Sequence, residues 1–210
     1  MDHVGVEFEE MKPWGILGGS FDPIHNGHTW LAKDVWQQLG LERVIFVPAY
    51  VAPHKIGQSF ATAEDRLAMT RLAVQDVPYF SVSDVEIKKE GISYTFETLR
   101  LLQQQYPGQE MYFIVGADSV PQLDTWHEIE EIFQRVKFAV AYRSGYEKDI
   151  AEAKSRFGKN AERLVMLPTP EYKVSSTLVR DSIEQGLPLT GLVAPLVEKY
   201  IKEKHLYGYR

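Results

Sequence analysis

The chain of 210 residues contains no cysteine. Disulfides, thiolate metal sites and a cysteine nucleophile are thereby excluded together. A cysteine-free chain suits a reducing cytosol, and a cytoplasmic protein is expected. Long apolar runs are missing too: 18 consecutive apolar residues occur nowhere, so no membrane-spanning helix is expected. The opening MDHVGVEFEE is acidic and lacks the basic start and apolar stretch of a secretory signal. Positive charge is in the minority, with 23 Lys and Arg against 29 Asp and Glu for a net −6. That balance points away from nucleic acid and membrane surfaces as partners. An acidic chain that binds phosphates must use locally placed cations and backbone N–H groups.

What is present is ordinary globular material, 44% apolar and 25% charged, enough for a sizeable core. Short apolar runs alternate with segments of helical period. Strands are expected at Trp14–Leu17, Arg43–Val47, Phe80–Val82, Met111–Val115, Lys137–Tyr142 and Leu164–Leu167. In HTWLAKDVWQQLG, Leu31, Val35 and Leu39 recur every four residues before Gly40 closes the helix. AEDRLAMTRLAV, YTFETLRLLQQQY, DTWHEIEEIFQR and STLVRDSIEQG read as further amphipathic helices, and APLVEKYIKEKHLYGYR as a last helix with a tail. The alternation predicts an α/β fold, a doubly wound, mostly parallel sheet with helices on both faces and a C-terminal helical segment. Ligands of such sheets bind outside the carboxyl ends of the strands, near the point where strand order reverses. With no repeat and no low-complexity linker, residues 1–210 read as one domain. It has an N-terminal extension over 1–12 and a C-terminal helical part over 174–210. The loop Pro48–Thr62 is the longest irregular stretch of the first half, and such loops often carry function.

Directly after the apolar WGIL comes GGSFDPIHNGH, residues 18–28. A simple turn needs one glycine and no histidine. Here bare backbone at Gly18 and Gly19 lets a phosphate approach N–H groups closely. The stretch fits neither G-x-G-x-x-G nor G-x-x-x-x-G-K-[ST]. Asp22-Pro23 turns the chain, and His25 and His28, three apart, share a face near the first turn of the next helix. Gly27 between them leaves that face open. Two imidazoles, free helix N–H groups and the positive end of a helix dipole would converge on one anion. That arrangement suits phosphoryl or nucleotidyl transfer, where charge grows on non-bridging and leaving oxygens. Local packing of the two histidines is the blander alternative. A histidine metal pair is weaker still, since Asp22 is the only carboxylate close in sequence. Late in the chain VSSTLVR, residues 174–180, offers a second anion site. Ser175, Ser176 and Thr177 can cap a helix and present hydroxyls and N–H groups to phosphates. Arg180, one turn on, can fork onto a β- or γ-phosphate.

The first stretch resembles the G-G-[ST]-F-D-P-x-H-x-G-H signature of the nucleotidyltransferases of the HIGH superfamily, and VSSTLVR resembles their [IV]-S-[SAT]-T-x-[IV]-R pattern. The middle of the chain narrows this. PAYVAPHK (48–55) is similar to the P-x-x-x-P-P-H-K loop of bacterial nicotinate-nucleotide adenylyltransferases, and GISYTFETL (91–99) to their S-Y-T-x-[DE]-T-L segment. FIVGADSVPQLDTWHEI (113–129) looks like their F-[IV]-[IV]-G-x-D block with its tryptophan, and KYIKEKHLY resembles their ending. The likeness runs from about Trp14 to Tyr207. Two departures are small: Ser20 stands for the commoner threonine and keeps the hydroxyl, and Ala52 stands where the loop often has proline.

The resemblance implies a Rossmann-like domain that makes nicotinate adenine dinucleotide and pyrophosphate from ATP and nicotinate mononucleotide. It implies that His25 and His28 hold the ATP phosphates and stabilise the transition state, with Lys55 and Arg180 neutralising phosphate charge. Gly18, Gly19, Ser20 and Phe21, Gly116 and Asp118, and Ser175, Ser176 and Thr177 would bind ATP, Asp118 through ribose hydroxyls. Tyr94 and Thr95 would offer donors to the nicotinate carboxylate, and Trp126 would stack on the pyridine ring. Each has a duller reading: Trp126 as core, Thr95 and Asp118 as helix caps, Lys55 as loop surface. The expected mechanism is direct in-line attack on the α-phosphorus without a covalent intermediate, with Mg²⁺ held by phosphates and waters. No protein metal ligands are expected, and homo-oligomerisation is left open. Rival readings are the same chemistry on nicotinamide mononucleotide, pantetheine phosphate or a flavin nucleotide, a non-catalytic nucleotide-binding regulator, and a phosphate-cradling structural module.

Overall fold

A computed structural model describes residues 11–53, 57, 60–143, 151–152 and 155–209. Six strands form one parallel sheet: β1 (Trp14–Gly19), β2 (Arg43–Pro48), β3 (Phe80–Val82), β4 (Met111–Gly116), β5 (Lys137–Tyr142) and β6 (Leu164–Pro168). Their order across the sheet is β3-β2-β1-β4-β5-β6. Strand order therefore reverses between β1 and β4, the doubly wound arrangement expected from the alternation of strands and helices. All six expected strands are present, four of them longer by one or two residues at the carboxyl end.

The four central strands are buried on both faces, and successive residues serve opposite cores. Ile45 and Val47 of β2, Phe113 and Val115 of β4 and Phe138 and Val140 of β5 pack in one cluster. Against it lie α3 (Val85–Lys89), α4 (Thr95–Gln105) and α5 (Ile129–Arg135), through Val85, Leu99, Leu102, Ile132 and Phe133. Val44 and Phe46, Ile114 and Ala139 face the other cluster. There α1 (Asn26–Leu39), α2 (Ala63–Val74), α6 (Ser176–Glu184) and α7 (Pro195–Glu203) insert Ala32, Val35, Met69, Val179, Ile183, Val197 and Ile201.

Local chemistry sets the helix ends. Gly40 closes α1 in the left-handed conformation at φ +59°. Thr62 caps α2 by accepting the Asp65 N–H at 3.1 Å, with Glu64 and Asp65 in the first turn. Pro195 opens α7. One expected helix is corrected. DTWHEIEEIFQR is helical only from Ile129, because Glu128 sits at φ +55° and Trp126 is extended. A 3-10 helix over Ala117–Thr125 precedes it. The short α3 carried no periodic signal of its own. The C-terminal tail leaves α7 through His205 and Tyr207, both at positive φ, and the Tyr207 hydroxyl reaches Asp22 at 2.7 Å.

Gly15 lies in the middle of β1, where a Cβ would stand 2.9 Å from Leu41 Cδ1, 3.0 Å from Ile114 Cδ1 and 3.1 Å from Val44 Cγ2. Three buried branched side chains cannot all yield. Gly15→Val is expected to lower stability by about 1–3 kcal/mol despite valine's better strand propensity, measured by urea unfolding.

Candidate active site

The sheet splits where its order reverses. β1 and β4 pair from Trp14↔Met111 to Ile16↔Phe113, although both strands continue to Gly19 and Gly116. Their outer neighbours hold on: β2 pairs with β1 as far as Gly19↔Pro48, and β5 with β4 as far as Gly116↔Ala141. The crevice so formed lies at the carboxyl ends of the strands, where open doubly wound sheets take ligands. Two glycines shape it. A Cβ on Gly18 would stand 3.2 Å from the Phe113 ring, and one on Gly116 would collide with the Asp118 carboxylate.

The crevice opens into a cavity of about 840 Å³. Its wall carries Gly18, Gly19, Ser20, Phe21 and His28 from the first motif and Ser176 from the second. Tyr94, Thr95, Gly116, Asp118 and Trp126 complete it from the middle of the chain. Lys55 lies outside the described residues. His25, Ser175, Thr177 and Arg180 do not line the cavity: His25 stacks on His28, Ser175 and Thr177 flank Ser176, and Arg180 sits one layer further back.

The two histidines divide their work. His25 is the N-cap of α1 and His28 its third residue, and their rings stack with centroids 3.7 Å apart at 28°. The His25 N–H donates to His28 Nδ1 at 3.2 Å, which leaves the ring proton of His28 on Nε2. Phe21, whose backbone stands at φ +48°, meets His28 edge-on with its ring at 5.0 Å. His25 is only 7% exposed, and burial lowers its pKa from 6.5 to about 4. It is neutral at pH 7, so the stacked pair holds at most one positive charge there. Gly27 permits the stack: a Cβ would stand 3.0 Å from His25 Nδ1 and 3.2 Å from the Val174 carbonyl.

The second motif is bolted onto the first. Arg180 donates to the Asp22 carbonyl at 2.7 Å and to Thr177 Oγ1 at 3.3 Å, with its guanidinium 4.1 Å over the Phe60 ring. Ser176 Oγ donates to the Pro23 carbonyl at 2.9 Å, and Ser175 Oγ accepts the Leu178 N–H at 3.1 Å, capping α6. The buried Asp22 carboxylate accepts the Phe60 N–H at 2.8 Å and the Tyr207 hydroxyl at 2.7 Å. Burial and the Asp22 charge raise the Tyr207 pKa.

On the other wall Tyr94 is the N-cap of α4 and Thr95 its first residue. The Tyr94 ring lies 4.8 Å from that of His127, which also lines the cavity. Trp126 meets Phe113 at 5.8 Å and Phe138 at 6.0 Å, both edge-on, and still borders the cavity. Core packing and site wall are one role for this residue. The sequence reading missed Arg66, Glu86, Tyr207 and His127. Arg66, 2% exposed, donates to the carbonyls of Ser20 and Ala49 at 2.6 Å each and of Tyr50 at 2.8 Å. Its one sequence signal is a cation on the stripe of α2 that buries Met69 and Thr70. The other three carried none.

The His25 shift has a stability consequence. The folded state refuses a proton that the unfolded chain takes up below pH 6.5. The contribution is complete above pH 6.5 and is lost as pH falls to about 4, to a total of about 3 kcal/mol. Denaturant unfolding at pH 7 and pH 4 is expected to show that loss, and His25→Gln to remove most of the difference.

Comparison with known proteins bears on the family and the fold. The cytidylyltransferase-like family model matches residues 16–182. A Bacillus subtilis protein named nicotinate-nucleotide adenylyltransferase is 36% identical over 94% of this chain and 99% of its own length. A Dehalococcoides mccartyi protein, "Probable nicotinate-nucleotide adenylyltransferase", is 43% identical over 92% of this chain and 96% of its own. Among solved structures, Plasmodium falciparum nicotinic acid mononucleotide adenylyltransferase complexed with NaAD superposes with a TM-score of 0.76 at 19% identity. It covers 95% of this chain and 98% of that one, a likeness of fold. Matched over more than nine tenths of its length at such identity, on this sheet order, the chain belongs to the nicotinate-nucleotide adenylyltransferase family.

Proposed function

We propose that this chain transfers the adenylyl group of ATP to nicotinate mononucleotide, giving nicotinate adenine dinucleotide and pyrophosphate for NAD biosynthesis, and that it does so in the cytoplasm. One observation carries the reading. A single cavity at the β1/β4 crevice joins a phosphate-type wall, Gly18 to Phe21 with His28 and Ser176, to an aromatic wall with helix N–H groups, Tyr94, Thr95 and Trp126. A reaction between two nucleotides needs both walls facing one space.

The acceptor phosphate oxygen attacks the α-phosphorus in line, forming the new P–O bond as the bond to the β-phosphate oxygen breaks. No side chain is asked to bond covalently to phosphorus, so catalysis consists of placing and charge stabilisation. His28 Nε2–H donates to the oxygens on which charge grows. His25, buried and neutral, fixes the His28 ring by stacking and through its N–H. This refines the expectation that both imidazoles grip phosphate. Gly18 and Gly19 let the phosphates approach backbone. Lys55 and Arg180 neutralise the triphosphate, and Ser175, Ser176 and Thr177 hold the start of α6 toward it. Mg²⁺ enters with ATP as part of the substrate, coordinated by phosphate oxygens and water. Gly116 leaves room for the nucleoside, and Asp118 accepts from the ribose hydroxyls. Trp126 stacks on the pyridine ring while the first N–H groups of α4, with Tyr94 and Thr95, meet its carboxylate.

Pyrophosphate release is the direct test, with Mg²⁺, ATP and, separately, nicotinate mononucleotide, nicotinamide mononucleotide or phosphopantetheine. Release with the nicotinate acceptor is expected, and release with another acceptor alone overturns the assigned substrate. His28→Ala is expected to lower kcat about 10²–10³-fold, the usual loss for one transition-state donor, with little change in Tm. Near-wild-type turnover in that variant removes His28 from the mechanism.

A further inference from the structure

Glu86 borders the cavity yet belongs to neither signature motif. It is carried by α3, and its side chain is 7% exposed. Burial raises its pKa, while hydrogen bonds from Ser93 and Thr98 act in the opposite direction. Thr98 Oγ1 donates to Glu86 Oε1 at 2.5 Å. The Ser93 hydroxyl accepts the Tyr50 N–H at 2.9 Å, which leaves its own proton for Glu86. Arg66 holds the far side of the same residue through the Tyr50 carbonyl. A bridge between Val51 and Ile92, with Ser93 N–H donating to the Val51 carbonyl at 2.9 Å, runs alongside. A chain of hydrogen bonds thus leads from the exit of β2, through Ser93 and Glu86, into the first turn of α4.

A carboxyl buried among hydroxyls is costly, and a closed polar network of this kind rigidifies what it joins. What it joins is the segment Ser93–Tyr94–Thr95, all three residues of which line the cavity. Those residues lead into α4, whose first N–H groups lack helical partners and favour an anion. An anion gripped by two donors tolerates little displacement of either.

We propose that Glu86 is a positioning residue for the acceptor. Through Ser93 and Thr98 it sets where the first N–H groups of α4 stand, and so favours a pyridine ring bearing a carboxylate over one bearing an amide. The inference rests on the reading of Tyr94, Thr95 and Trp126 as the acceptor pocket.

Wild-type rates with nicotinate and nicotinamide mononucleotide, measured first, decide that pocket reading by themselves. Glu86→Gln and Ser93→Ala are then compared on whichever acceptor the wild type turns over, so the two failures separate. Glu86→Gln is expected to raise KM for that acceptor about tenfold, the effect of one misplaced hydrogen bond. The kcat/KM ratio between the two acceptors narrows, and KM for ATP stays within about twofold. Ser93→Ala removes one hydroxyl and no charge, and moves the same quantities in the same direction by about threefold, with Tm nearly unchanged. If Glu86→Gln does not fold, Ser93→Ala decides. Unchanged acceptor KM and selectivity in the folded variants, or an equal rise of both KM values, overturns the proposal.

Discussion

The turn that follows β1 and the turn that follows β2 are held by the same buried cation. Arg66 receives the carbonyls of Ser20, Ala49 and Tyr50 in the fork of its guanidinium. Burial disfavours its charge, and the nearest compensation is the charge of Asp22, a residue of the first motif. Strand ends that leave a parallel sheet have carbonyls without partners, and buried ones must find a donor. A planar donor with five N–H groups answers several at once. The glycine-rich turn and the exit of β2 are thereby tied to one side chain of α2.

The tie on that side is matched by an opening on the other. β1 and β4 separate after Ile16 and Phe113 while each stays paired to its outer neighbour, so the crevice is a property of the sheet and not of a flexible loop. The Phe113 ring occupies the space that a side chain at Gly18 would take. Small residues at strand ends, large rings beneath them and helix starts on both sides give the crevice its shape.

Across the crevice the chain closes on itself over long distances. Asp22 is fixed by Tyr207, 185 residues away, and Arg180 returns to the Asp22 carbonyl. The C-terminal part is therefore a structural member of the first motif. The cap of α6, the Pro23 carbonyl and the ring of Phe60 meet at the same corner.

What the sequence determined is local. Periods of two and 3.6 follow from the geometry of strand and helix, and the six strands were readable from short apolar runs between amphipathic segments. The two motifs stood out as candidates because glycines, histidines and hydroxyls at that spacing suit phosphate chemistry through bonds made within a few residues. Tertiary structure decided what depends on burial and on distant partners. It set His28 on the cavity wall and His25 behind it, because the side of α1 bearing His25 is covered. It broke the expected helix at Glu128, where packing of Trp126 against Phe113 and Phe138 outweighs helical period. It also gave Arg66, Glu86 and Tyr207 their roles. A buried cation, a buried carboxyl and a tyrosine beside an aspartate acquire meaning only when residues far apart in the chain supply their hydrogen bonds, and no spacing along the sequence records that.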